Sequence, residues 1–274
     1  MTDDLTTVPE ASPNLPNLYA PPAGMRWGLW EAGIALLVFV MVSAVVTIVA
    51  ITVLPQDVDH GTLQLVGFIT SLLAYGGLAL VIVIVSRRLG LRSLARDFGL
   101  RFRPVDLLIG LAIGVVGRIA TVILTIVAIA ATGYEPESGN LVLSPQPIWL
   151  VLNGLVIAVI VAPVVEELFF RGLLLRAIRN RVLRWKGREQ PADAETQKRA
   201  VILAIAISSV AFMALHLYQS SSWTLFIILA GSTLVVGVLN AFVAILTHRL
   251  GGAIVGHVVF NGSAVLLGAL ALQG

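Results

Sequence analysis

Seven long apolar runs dominate the sequence and restrict what the chain can fold into. A helix needs roughly 20 apolar residues to cross the ~30 Å hydrocarbon core of a bilayer. Of the 274 residues, 58% are hydrophobic and 12% are charged, whereas a soluble domain carries about 25% charged residues. The sequence therefore predicts an all-α polytopic transmembrane bundle of about seven membrane-spanning helices, at 31–54, 63–86, 105–131, 148–175, 200–217, 224–247 and 252–271.

The residues outside these runs show no sign of a second folded domain. Residues 1–28 are acidic and then rich in proline, which predicts a disordered tail. Residues 29–274 are predicted to form the transmembrane helical domain, because the connections between the runs are short. The chain has no cysteine, which excludes disulfides, a thiolate nucleophile and cysteine metal ligands.

Basic residues concentrate in two connections, and their placement predicts the orientation of the chain. Six arginines lie between residues 87 and 103 and eight basic residues between 176 and 199, whereas the opposite connections carry acids such as Asp57 and Glu135. Positive residues accumulate on cytoplasmic loops. We therefore expect an integral protein of a bacterial plasma membrane, with a cytoplasmic N-terminus and an outside C-terminus. The basic excess indicates topology and contact with the lipid bilayer, not nucleic-acid binding.

The connection after the fourth run, residues 176–199, begins as a basic helix. Its arginines are interspersed with Val182, Leu183 and Trp185, as expected of a stretch that lies on an anionic membrane surface. This pattern favours an anchor for the topology over a docking site for a substrate tail.

Charged residues inside the apolar runs are few, and three of them lie together in the fourth run. Charge at that depth costs several kcal/mol and marks a functional site by default. Glu167 and Arg171 are four residues apart and can pair across one turn, which leaves Glu166 about 100° away. Pro163 removes a backbone donor and is expected to kink or open the helix. Arg118, in the third run, could reach a glutamate, line a substrate path or bind a helix carbonyl.

Two further polar pairs lie in the fifth and seventh runs. Phe212 with His216, and His257 with Asn261, are each four residues apart and share a helix face. Together with Glu166 they supply a carboxylate, two imidazoles and an amide, a set that can activate water and stabilise an oxyanion. Alternatively, Glu166, His216 and His257 could bind a divalent metal such as zinc and leave one position for water.

The predicted depth of His216 in the membrane does not agree with that of Glu166. Counted from the cytoplasmic end of its run, His216 lies roughly 24 Å along its helix, about 10 Å beyond Glu166. If the two side chains meet, then helix tilt, a kink at Pro163 or a later start of the fifth helix has to close the gap.

The three clusters resemble the motifs of a known family. "EELFFR" (Glu166–Arg171), "FMALH" (Phe212–His216) and "HVVFN" (His257–Asn261) are similar to the Glu-Glu-x-x-x-Arg, Phe-x-x-x-His and His-x-x-x-Asn patterns of the type II CAAX prenyl protease group. That group also contains lysostaphin-resistance-like and bacteriocin-processing Abi proteins. The ordered triple is specific, and the resemblance covers a protease-like core of about 149–271.

The resemblance implies an intramembrane endopeptidase of all-α fold, of the EC 3.4 class and often described as a metalloendopeptidase. It implies that Glu166 activates water with help from His216, and that His257 and Asn261 form the oxyanion hole. The same family likeness assigns supporting roles to three further residues: Glu167, Arg171 and Phe212.

The resemblance leaves the cofactor, the substrate and the biological role open. A divalent metal such as zinc, bound by Glu166, His216 and His257, and a metal-free reaction are both compatible with it. The substrate would be a peptide or protein, for which a C-terminal membrane-anchored tail is one candidate. Peptide maturation, bacteriocin immunity and release of membrane-bound regulators are the possible roles. A non-catalytic membrane immunity or scaffold protein and a proton-coupled carrier are the alternative classes.

Overall fold

The structure, a computed structural model, describes residues 26–55, 57–134, 146–186 and 193–271. Seven of the helices in these ranges are long and apolar enough to cross a membrane, and the same ranges contain no strand. This is the polytopic helical bundle that the apolar runs predict. We refer to the helices as the first to the seventh: Leu29–Val53, His60–Leu89, Val105–Thr132, Pro147–Arg184, Ala194–His216, Trp223–Thr247 and Gly251–Ala271.

Short polar side chains fix the starts of several of these helices. Asp59 accepts a hydrogen bond from the backbone N–H of Thr62 at 3.1 Å, and Asp193 accepts one from Thr196 at 2.7 Å. Each satisfies one of the backbone donors that the first helical turn leaves without a partner. The fifth helix consequently begins at Ala194, before its apolar run starts at about residue 200.

The fourth helix is longer than its apolar run, as the basic helix predicted after that run indicates. Its helical turns continue past residue 175 to Lys186, and two stretches of it, Leu150–Val161 and Leu168–Leu174, have the wider π-helical winding. The short α-helical stretch Ala162–Glu167 lies between them and carries both glutamates. π-Helical turns are rare and concentrate at functional sites.

The basic extension of the fourth helix packs one face into the protein, and its expected position on the membrane surface stays a prediction. Arg179 and Asn180 are buried, and Ala177 is 1% exposed. Arg184 donates a hydrogen bond to the backbone carbonyl of Trp27 at 3.3 Å. The extension therefore binds the segment that precedes the first helix.

That segment also corrects the boundary predicted for the N-terminal tail. Trp27 is 1% exposed, and its ring centroid lies 5.1 Å from that of Phe98. The backbone N–H of Arg26 donates to Leu89 at 2.8 Å. Residues 26–28 are thus packed against the helices. The remainder of the predicted tail, residues 1–25, lies outside the described residues.

The fourth helix is the centre of the bundle. The second, fifth and seventh helices all pack against it, and the third helix packs closely against the seventh. The third and seventh helices approach closely because Gly110 and Gly114 face Val255 and Val259, where any added Cβ would overlap the valine side chains. Small residues of this kind allow membrane helices to pack backbone to backbone.

Candidate active site

Glu166 lies in the middle of the bundle with each carboxylate oxygen in a different environment. The hydroxyl of Tyr75, on the second helix, donates to Oε1 of Glu166 at 2.5 Å. Oε2 is buried and has no hydrogen-bond partner among the described residues. A buried carboxylate oxygen without a donor is costly, so the geometry leaves Oε2 ready to accept a hydrogen bond from a bound molecule.

Two imidazoles face this free oxygen. Nε2 of His216 lies 3.9 Å and Nε2 of His257 lies 3.8 Å from Oε2 of Glu166. The Nδ1 atoms point to acceptors, since His216 Nδ1 is 2.8 Å from the carbonyl of Phe212 and His257 Nδ1 is 3.0 Å from Oε1 of Glu167. In the neutral form of each imidazole, Nδ1 is therefore the donor and Nε2 has the lone pair. Three acceptor atoms converge on one point.

Glu167 holds the helices around that point. Its Oε1 accepts from Arg171 at 2.9 Å, from the side-chain amide of Asn240 at 2.9 Å and from His257 at 3.0 Å. Glu167 and Arg171 pair across one turn, as their spacing predicts, and both are fully buried. Arg171 also donates to the carbonyl of Gly237 on the sixth helix at 3.0 Å. One carboxylate thus connects the fourth, sixth and seventh helices.

The ring of Phe212 forms a wall of the site. Its centroid lies 4.5 Å from that of His216 and 5.4 Å from that of His257. The guanidinium of Arg171 lies over the same ring, 4.5 Å from its centroid. A cation over an aromatic face is attracted by the negative potential of the ring, so Phe212 contacts both the imidazoles and the cation that pairs with Glu167.

Asn261 binds the fourth helix through a carbonyl that Pro163 leaves free. In this π-helical stretch each backbone N–H donates to the carbonyl five residues earlier. The N–H of Ala162, for example, donates to the carbonyl of Ile157. The next donor would be the N–H of residue 163, and proline has none. The carbonyl that lacks this donor, that of Ala158, accepts from the side-chain amide of Asn261 at 2.8 Å. The second N–H of that amide remains available.

The depth difference predicted for His216 is absent, and the reason is the length of the fourth helix. Glu166 lies about 20 residues before Lys186, and His216 lies about 22 residues after Ala194. Because the two helices run in opposite directions, similar counts from their connected ends bring the side chains to the same level. The fifth helix begins earlier, not later, than its apolar run.

Sequence reasoning missed two residues of the cluster, Tyr75 and Asn240. Both interrupt apolar runs and are uncharged, so a search for charged residues and histidines inside the runs passed over them. Arg118 lies apart from the cluster: it donates to Ser263 at 2.9 Å and to the carbonyl of Phe260 at 2.7 Å. Of its three interpretations, the pairing with a helix carbonyl is the one observed.

The side chains that the sequence offers as metal ligands do not have the spacing of a zinc site. Among the described residues, no group of three or more His, Asp or Glu side chains is arranged to hold a metal ion. The distances of 3.8 and 3.9 Å from Glu166 to the imidazoles exceed the roughly 3.4 Å between two ligands of a tetrahedral zinc ion.

Comparison with known proteins identifies the part of the chain that carries the site. Residues 147–263, less than half of the chain, match the family model described as type II CAAX prenyl endopeptidase Rce1-like. Searches of curated proteins and of solved structures found no match. The matched residues contain the glutamates, the two histidines and Asn261, and they lie among helices that can cross a membrane. Residues 147–263 of this integral membrane protein are thus similar to the Rce1-like type II CAAX prenyl endopeptidases, a family of proteases.

Proposed function

We propose that this protein is an intramembrane endopeptidase in which Glu166 activates a water molecule. The convergence of three acceptor atoms, Glu166 Oε2 and the Nε2 atoms of His216 and His257, supports this proposal. A water molecule supplies two O–H donors, one for Oε2 of Glu166 and one for Nε2 of His216. Two acceptors that each lie about 2.8 Å from one water oxygen are roughly 4 Å apart. The distances of 3.9 and 3.8 Å between Oε2 of Glu166 and the two Nε2 atoms are close to this value.

The proposed reaction begins with a proton transfer to Glu166. Oε2 takes a proton from the water, whose oxygen bonds to the carbonyl carbon of the scissile peptide and produces a tetrahedral oxyanion. Glu166 then returns the proton to the amide nitrogen as the C–N bond breaks, which gives a carboxylic acid and an amine. Because Tyr75 donates to Oε1, Oε2 is the oxygen that exchanges the proton.

The remaining polar groups position the water and stabilise the oxyanion. Nε2 of His216 accepts the second O–H of the water and so orients it. In this proposal the N–H of Asn261 that does not bind Ala158 donates to the oxyanion. His257 joins it as a donor when its Nε2 has taken a proton from solvent, and Glu167, which accepts from Nδ1, faces the resulting positive charge.

A cleavage assay with a matched control tests the proposal. The full-length protein, purified in detergent, is incubated with a library of C-terminal peptides, and the products are measured by mass spectrometry. Glu166→Gln is nearly isosteric and is expected to abolish cleavage without lowering the Tm. Glu195→Gln makes the same chemical change at an exposed position of the fifth helix and is expected to cleave like the wild type.

Two outcomes would argue against the protease. A well-folded wild type that cleaves nothing across the library, or a Glu166→Gln variant that cleaves at the wild-type rate, contradicts the proposed chemistry. Proton uptake by liposomes containing such an inactive wild type would favour the carrier, and the absence of both activities would favour a scaffold.

We further propose that the arginine-rich ends of the second to fifth helices face the cytoplasm. Because the chain has no cysteine, single cysteines can be placed at will. Arg96→Cys and Tyr134→Cys lie at opposite ends of the third helix. A membrane-impermeant maleimide is expected to label Tyr134→Cys in intact cells and Arg96→Cys only after permeabilisation, and the reverse pattern would invert the topology.

A further inference from the structure

A second concave feature lies at one end of the bundle and contains none of the site residues. It is a cavity of about 560 Å³ between the segment before the third helix and the link joining the sixth and seventh helices. Small-molecule sites have volumes of roughly 300–1,000 Å³. Half of the lining residues are cationic: Arg101, Arg103 and Arg249 lie beside Phe102, Thr247 and His248.

The two segments that form this cavity are joined by backbone hydrogen bonds. The N–H of Leu250 donates to Gly99 at 2.8 Å, and that of Gly251 donates to Arg101 at 3.1 Å. Gly99 has a φ of +76°, and an added Cβ there would overlap the guanidinium of Arg176. His248 adopts a φ of +55°, uncommon for a residue other than glycine. These hydrogen bonds and backbone conformations fix the relative positions of the two cavity walls.

Positive charges outnumber negative charges around the cavity. Arg249 is paired with Asp106 at 2.8 Å. The side chains of Arg101 and Arg103 are exposed and form neither a hydrogen bond nor an ion pair within the described part of the chain. Arg176 donates to the carbonyl of His248 at 3.5 Å and adds a further positive charge nearby.

One further carboxylate, Asp97, attracts Arg176 and offsets only part of this excess. Asp97 accepts hydrogen bonds from the hydroxyl of Ser86 at 2.6 Å and from the backbone N–H of Leu91 at 2.8 Å, and it is fully buried. Burial, together with the charges of Arg176 and Arg179, lowers the pKa of His248. The histidine thus responds to the same concentration of positive charge.

We propose that this cavity binds the phosphate group of an anionic phospholipid or of a soluble phosphate compound. Guanidinium groups match phosphate oxygens in shape and charge and bind them through paired N–H donors. The cavity lies at the ends of membrane-spanning helices, the level at which lipid headgroups lie. Phe102, between the two free arginines, is 56% exposed and offers an apolar contact for the start of an acyl chain, which favours the lipid.

Short-chain lipids test the proposal independently of any proteolysis. The full-length protein in a neutral detergent is titrated with dihexanoyl phosphatidylglycerol, dihexanoyl phosphatidylcholine or sodium phosphate, and affinity and Tm are measured. Loss of two charge-assisted contacts in the double variant Arg101→Gln/Arg103→Gln is expected to weaken phosphatidylglycerol binding by at least about tenfold. The control, Arg87→Gln/Arg88→Gln, removes the same charge at exposed positions outside the cavity and is expected to bind like the wild type.

The three probes separate the two sources of phosphate. A response to phosphatidylglycerol alone supports a lipid headgroup, and an equal response to inorganic phosphate supports a soluble compound. Equal responses to phosphatidylglycerol and phosphatidylcholine, no response to either anion, or an equal loss in both double variants would overturn the proposal. If the cavity double variant does not fold, Arg103→Gln alone provides the same comparison against Arg87→Gln.

Discussion

The side-chain amide of Asn261 replaces a backbone donor that Pro163 removes from the fourth helix. The carbonyl of Ala158 accepts from Asn261 at 2.8 Å, where the π-helical register would otherwise place the N–H of residue 163. This contact gives the last residue of the third motif a structural role beside its proposed part in the oxyanion hole.

A double-mutant cycle separates these two roles of Asn261. Asn261→Ala leaves the Ala158 carbonyl unsatisfied and is expected to cost about 1–3 kcal/mol of stability. In a Pro163→Ala background the backbone N–H returns, so the same substitution is expected to cost less than about 1 kcal/mol. Unfolding in detergent measures both costs. Peptide cleavage is expected to stay impaired in the double variant. If Asn261→Ala costs the same stability in both backgrounds, then the amide of Asn261 does not replace the missing N–H of residue 163.

Removal of the Tyr75 hydroxyl is expected to slow cleavage without unfolding the protein. Tyr75→Phe loses the hydrogen bond to Glu166 but keeps the ring packed against Phe39, 5.2 Å away. A hydrogen bond to a charged group contributes about 1.5–3 kcal/mol, so kcat/KM should fall roughly 10- to 100-fold. Tyr134→Phe, at an exposed tyrosine, is the control. Wild-type cleavage by Tyr75→Phe would show that the hydroxyl does not direct the carboxylate.

Two Glu–Arg pairs with identical spacing should respond very differently to the same substitution. Glu167 and Arg171 are fully buried, whereas Glu195 and Arg199 are each about 60% exposed. Arg171→Gln leaves a buried carboxylate without its cation and is expected to cost about 3–5 kcal/mol. Arg199→Gln is expected to cost about 0–1 kcal/mol. The loss of stability in each variant is measured by thermal unfolding. Similar losses in Arg171→Gln and Arg199→Gln would rule out the supporting role of Glu167 and Arg171.

Close packing of the third helix on the seventh predicts a third stability difference. Gly110→Ala would place a Cβ against Val255 and 2.7 Å from the backbone nitrogen of Gly256. We expect a loss of about 1–3 kcal/mol from this overpacking. Gly67→Ala, in the second helix, meets nothing within 4 Å and is expected to be neutral or slightly stabilising. If both variants unfold at the wild-type temperature, the two helices are less tightly packed than the structure indicates.

The number and order of the helices follow from composition, because only long apolar helices can cross hydrocarbon. The lengths of the helices do not follow from composition. An apolar run ends where the hydrocarbon ends, whereas a helix ends where its backbone hydrogen bonds stop. The arginine-rich turns from Arg176 to Lys186 continue the fourth helix beyond its apolar run, and Asp193 starts the fifth helix before its run. Both differences affected the predicted depth of His216.

The three motifs predicted which side chains meet but not how they are held. Glu166, His216 and His257 stand out because ionisable groups are rare in apolar runs. Tyr75 and Asn240 do not stand out, because uncharged polar residues are common between membrane helices and their partners depend on tertiary packing. The catalytic roles assigned to Glu166, His216, His257 and Asn261 stay predictions, which the cleavage assays test.

The donor to Glu166 comes from the second helix, upstream of residues 147–263 by which the family is recognised. A fragment that contained only residues 147–263 would lack the hydroxyl of Tyr75, so neither oxygen of Glu166 would accept a hydrogen bond. It would also lack the second helix, which packs against one side of the site. The shortest part of the chain that keeps the proposed site intact is therefore longer than the residues that match the family model. In other chains that match this model, a hydroxyl on a helix before the matched residues is a feature to look for besides the three motifs.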